Sequence, residues 1–189
     1  MMRNVIVSLL LFVGIISVNI TSTYAAQVQI YDYSVENIIR NLKEDCARQG
    51  IDIWGTDYYT YNGVQRCELN FGNSKNNVIR FRLNNDNSVS RILVTMPNSF
   101  TSNNGSKKSF MESAFVNGVI VKSIGLSKSE GYELIGKWTE RFKEFAAENP
   151  GANYFHEKFS MWCPSIERYI VLDVEMDDSK FDWYFYAHT

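Results

Sequence analysis

Histidine is nearly missing from this sequence, which carries only His156 and His188 among 189 residues. With so few, and with no closely spaced pair among the cysteines, the chain offers no zinc ligand set of the usual spacing. His156-Glu157 opens like a zinc-protease motif, but Ser160 stands where the second ligand is required. No metal is therefore expected. Gly-x-Ser-x-Gly, Ser-x-x-Lys and glycine-rich phosphate loops are missing too, so neither serine chemistry nor a nucleotide or other cofactor is expected.

A basic excess is also lacking, and that argues against nucleic acid as a partner, because phosphate neutralisation needs clustered Lys and Arg. Long apolar runs are confined to the N-terminus. Met1-Met2-Arg3-Asn4 precedes an apolar and small-residue run from Val5 to Ile20, and Thr23-Tyr24-Ala25 supplies small residues one and three positions before a cut after Ala25. That order is the order of a secretory leader. The run is shorter than the roughly 20 apolar residues that span a bilayer comfortably, so cleavage is expected rather than a signal anchor. Residues 1–25 are accordingly read as a signal peptide and 26–189 as one domain, exported to a periplasm or the exterior, with no membrane anchor after cleavage. Losing Arg3 takes the basic count from 19 to 18 against 21 acids, a net charge of −3.

The cysteines number only three, Cys46, Cys67 and Cys163, so at least one must stay unpaired within the chain. Cys46 falls on the apolar stripe of the first helix and Cys67 on the apolar face of the second strand. If the helix lies across its own hairpin the two point at each other, and a Cys46–Cys67 disulfide is expected, closing about twenty residues and adding roughly 3 kcal/mol. Cys163 is then the spare thiol. It lacks a base, because His156 is an odd number of residues away on the same predicted strand and so faces the other way.

What is plentiful is apolar and aromatic surface, with 12 Phe, 11 Tyr and 4 Trp, enough for a substantial core. Val35, Ile38, Ile39, Leu42 and Cys46 recur at helical spacing between Ser34 and Gly50. From Ile51 the period becomes two. Ile51–Tyr61 and Val64–Phe71 flank Asn62-Gly63, a pair that accepts the positive φ angles of a type I′ hairpin. Val78–Leu83 and Val89–Met96 continue the meander, and the Ser- and Asn-rich stretch from Asn98 to Lys108 reads as a surface loop. A helix from about Ser109 to Ser123 follows. Ser127 and Glu130 form a capping box for another, ending near Glu148 before Pro150-Gly151. Strands are expected at Tyr154–Cys163 and Ile166–Met176, with a short aromatic edge strand at Phe181–Ala187.

The order α-ββββ-αα-ββ(β) predicts an α+β fold: an antiparallel sheet of six or seven strands with three helices packed on one face. A helix-then-hairpin order occurs twice, at Ser34–Phe71 and Ser127–Asp173. Two features remain as candidate sites. Asp173, Glu175 and Asp177 alternate along one strand end, with carboxylates about 7 Å apart, a row that an envelope hydrolase could use and that a solvated strand face equally explains. A calcium loop fails because Asp178 replaces the required Gly. The aromatic strands are the second feature. Tyr59, Tyr61, Trp183 and Phe185 are the expected binding surface of a non-enzymatic interaction module, with a protein or glycan of the cell envelope as partner. The competing reading puts these aromatics in the core.

Overall fold

The structure is a computed structural model and describes residues 34–85, 87–98 and 105–188. The expected leader and its cleavage position lie outside the described residues. The first helix, α1 (Val35–Ala47), buries Val35, Ile38, Ile39, Leu42 and Cys46, the stripe read from the sequence. Ser34 stands at its N-cap in extended geometry, although its side chain makes no capping hydrogen bond. At the other end Gly50 adopts φ +67°, and Ile51 N–H returns to the carbonyl of Cys46 at 3.0 Å. Only glycine takes that left-handed angle without strain, so the helix stops there.

Four strands follow: β1 (Ile53–Tyr61), β2 (Val64–Phe71), β3 (Ser74–Leu83) and β4 (Val89–Pro97). Asn62 and Gly63 take φ of +51° and +73°, the twist that a two-residue hairpin requires. β3 begins four residues earlier than expected. Its opening stretch is polar throughout, with no alternation to mark it, and it is drawn into the ladder by pairing Ser74 with Phe71. The second helix, α2 (Gly105–Ser123), likewise starts four residues earlier than expected, so part of the predicted loop is helical. The remaining helix, α3 (Lys128–Glu148), has its capping box in place: Ser127 Oγ accepts from Glu130 N–H while the Glu130 side chain accepts from Ser127 N–H.

Three further strands, β5 (Phe155–Cys163), β6 (Arg168–Met176) and β7 (Lys180–His188), complete one seven-stranded antiparallel sheet in the order β1-β2-β3-β4-β7-β6-β5. Two meanders thus enter from opposite edges and meet where β7 pairs with β4. The last strand, expected at an edge, is central. It pairs with β4 on one side and β6 on the other and turns Phe181, Trp183 and Phe185 toward the helices.

All three helices pack on that face. Trp138 of α3 stacks on Phe142 and meets Phe181 and Trp183 edge-on, with ring centres 6.1 and 6.0 Å away. Met96 of β4 receives a contact from Ser113 of α2, and Lys122 of α2 pairs with Asp45 of α1. Each large apolar side chain sealed in this layer contributes about 1.5–3 kcal/mol relative to exposure. The opposite face of the sheet carries no described helix.

Candidate functional site

Strand register sets what the helix-free face presents. One row across the sheet reads Tyr59, Arg66, Arg82, Arg91, Tyr186, Val171, Ser160, each residue directly opposite the next. The adjoining row reads Asp57, Glu68, Arg80, Leu93, Tyr184, Asp173, Lys158. Beyond it lie Asn70, Val78, Thr95, Asp182, Glu175 and His156. The first row therefore places three guanidiniums on three consecutive strands, at the interstrand spacing of about 4.8 Å.

Arg80 has a conventional partner, Glu68, at 2.7 Å, and Tyr59 Oη donates to the same carboxylate at 3.1 Å. The row itself has none. Among the described residues no carboxylate lies within salt-bridge distance of Arg66, Arg82 or Arg91. Instead Arg66 lies over the Tyr61 ring at 4.9 Å, and Arg91 lies over Tyr184 at 4.4 Å and Tyr186 at 5.4 Å. Ring faces stabilise a cation while leaving its N–H groups free. Arg66 Nε is shielded from solvent with no hydrogen-bond partner. Lys158 stands on the far side of Tyr186, its Nζ 5.4 Å from the ring centre.

The acids expected to form a row are dispersed by their partners. Asp173 Oδ1 lies 2.9 Å from His156 Nε2. Asp177 closes its own turn, accepting from the Ser179 hydroxyl at 2.7 Å, Ser179 N–H at 2.7 Å and Lys180 N–H at 2.9 Å, and these bonds, the hydroxyl's first, hold its carboxyl below the usual range. Glu175 stands opposite Asp182, a residue that sequence reading passed over. Asp182 is only 1% exposed, accepts from Lys180 Nζ and Tyr184 Oη, and leaves Oδ1 without a partner. Its signal in the sequence is a lone acid inside the aromatic run from Phe181 to Tyr186. No described cavity gathers these acids. A recess of about 440 Å³ lies elsewhere, between α1 and β1, and is lined by Glu36, Arg40, Lys43 and Tyr58 among others.

Two expectations are corrected. Trp183 and Phe185 are core residues, 1% and 2% exposed, because their strand turns Phe181, Trp183 and Phe185 toward the helices and Asp182, Tyr184 and Tyr186 outward. Tyr59 and Tyr61 do stand on or beside the helix-free face, half-buried and exposed respectively. The second correction concerns the thiols: Cys46, Cys67 and Cys163 are all free and buried, and no Cys46–Cys67 bond is formed. Both thiols lie on the core-facing sides of their elements, but a shared core does not by itself bring two sulfurs into bonding geometry. Burial pushes the Cys46 thiol up to about 12 and Cys67 and Cys163 up to about 11. Cys163 and His156 stand on opposite faces of β5, as their spacing requires.

Arg66, Arg80 and Arg82 alternate with buried apolar residues along β2 and β3, which turns them away from the helices. Their alignment depends on which residue pairs with which across turns of different length, and no local pattern encodes that. Neither a protein-family model, nor a curated protein, nor a solved structure matches this chain.

Proposed function

We propose that this protein is an exported, non-enzymatic binding module whose working surface is the helix-free face of its sheet. The observation that carries the reading is the composition of that face around β2, β3, β4 and β7. A sheet face that merely meets water is polar without any need for like charges to line up across strands. This one instead concentrates arginine and tyrosine, the two side chains that with tryptophan dominate binding hot spots. Tyr184 and Tyr186 are held by Arg91, so they are rigid before any partner arrives.

Export is supported by the order of residues in 1–25, and absence of catalysis by the dispersal of the acids: Asp173 is tied to His156 and Asp177 to its own turn. A photo-crosslinking side chain at Leu93, in the middle of the face, tests the reading against one at Lys137, an exposed position of α3. The expected outcome is a discrete crosslinked species from Leu93 in the exported fraction and none from Lys137. Equal labelling from both positions, or none from Leu93 and its neighbours, contradicts it.

A further inference from the structure

We propose that the row Arg66–Arg82–Arg91 is the recognition element for a short acidic segment of a partner protein; this rests on the reading of the helix-free face as a binding surface. Like charges directly opposite on neighbouring strands repel, and here that happens twice in succession, Arg66 against Arg82 and Arg82 against Arg91. The fold provides for a paired arginine one row away, where Glu68 neutralises Arg80. Among the described residues it provides no carboxylate for the row. Residues outside the described part of the chain contain two acids, Asp32 and Asp86, fewer than the three arginines. Those two acids could not pair all three guanidiniums, and charge is left over for a partner to neutralise.

Three properties narrow the ligand. Guanidinium forks pair bidentately with carboxylate, and the two outer arginines are already oriented by Tyr61, Tyr184 and Tyr186. The row repeats at about 4.8 Å, close to the 5–6 Å between side chains three or four apart on a helix, so an acidic helix lying across the strands presents one carboxylate per arginine. Finally the row is bounded. Glu68 and Asp173 lie in the next row, and Asp182 and Glu175 in the one beyond it on the same face. A long polyanion, whether nucleic acid or acidic polysaccharide, would run over these carboxylates, whereas a segment with three acids need not. The chain's own formal net charge of −2 points the same way.

The probe is a fluorescein-labelled 15-residue Ala/Gln helix with Glu at three positions four apart, compared with its Glu→Gln counterpart and with a 15-nucleotide oligothymidylate, by anisotropy at low salt on the full exported protein. The expected result is binding of the Glu peptide alone, weakened about tenfold or more by Arg82→Ala, only partly restored by Arg82→Lys, and falling with added salt. Arg82→Ala should leave the melting temperature unchanged or raised, which a purely structural role for the row would not allow. The proposal is overturned if the Gln peptide binds equally, if oligothymidylate binds more tightly, if Arg82→Ala has no effect, or if the protein instead forms a salt-sensitive dimer abolished by Arg82→Ala. Failure of the acidic peptide with a persisting crosslink at Leu93 removes this inference and leaves the binding face standing; loss of both removes the face as well.

Discussion

Arg82 stands directly opposite Arg91 across the β3–β4 ladder, with Arg66 on its other side, so one exposed guanidinium is flanked by two others. The arrangement costs stability that a different residue would restore. Arg82→Glu should pair with both neighbours and stabilise the fold by about 0.2–1 kcal/mol, read as a higher urea midpoint at low salt that converges with wild type in 1 M salt. An unchanged or lower midpoint at low salt would mean the guanidiniums do not feel one another.

Trp183 and Tyr186 lie three residues apart on the same strand but face opposite ways, and their truncation should differ accordingly. Trp183→Ala empties a site packed by Trp138 and Phe181 and should cost about 3–5 kcal/mol, enough to unfold a marginal domain. Tyr186→Ala loses the ring contacts with Arg91 and Lys158 and leaves no gap among the helices, so about 1 kcal/mol is expected. Denaturant titration followed by circular dichroism separates the two; equal losses would place both rings in the core.

Glu130 links three elements, receiving the backbone of Ser127 and both the backbone and hydroxyl of Ser165 in the β5–β6 turn. Burial raises its carboxyl, but the hydrogen bonds from Ser127 and Ser165 outweigh that and hold it below its ordinary value of 4.5. A carboxyl depressed on folding stabilises above its unfolded-state pKa, and that stabilisation is lost as pH falls through the folded-state value. Glu130→Gln should therefore cost about 1–2 kcal/mol at pH 7 and much less near pH 3. Urea midpoints at the two pH values check this; a penalty that does not shrink in acid would show that the charge is immaterial.

The three thiols should be silent. Their burial and raised pKa values predict no labelling by iodoacetamide at pH 8 in the native protein and labelling of all three in 8 M urea without reductant. Only one thiol labelled in urea would establish a disulfide after all.

Element types were legible because their signals are local. The α1 stripe, the Asn62-Gly63 hairpin and the Ser127/Glu130 box each lie within a dozen residues and depend on period, turn chemistry and capping alone. The place of β7 was not legible, since a strand's position in a sheet is decided by partners far along the chain. The facing of Trp183 and Phe185 was recoverable in part: Phe181, Trp183 and Phe185 are wholly apolar or nearly so, while their alternates include Asp182 and two tyrosines with hydroxyls. Charge alternation showed Arg66 and Arg82 pointing away from the core. That they meet Arg91 in one row follows from register, which the β2–β3 and β3–β4 turns had to fix together. The Cys46–Cys67 expectation failed because a shared core fixes neither the distance nor the direction between two side chains.

Amide chemical-shift mapping with the three-Glu helix on isotope-labelled exported protein tests the central claim most directly. The account predicts shifts confined to β2, β3, β4 and β7 around Arg66, Arg82, Arg91, Leu93, Tyr184 and Tyr186, with α1 and α3 unaffected. Shifts centred on the helices or on the recess beside Tyr58 would contradict it.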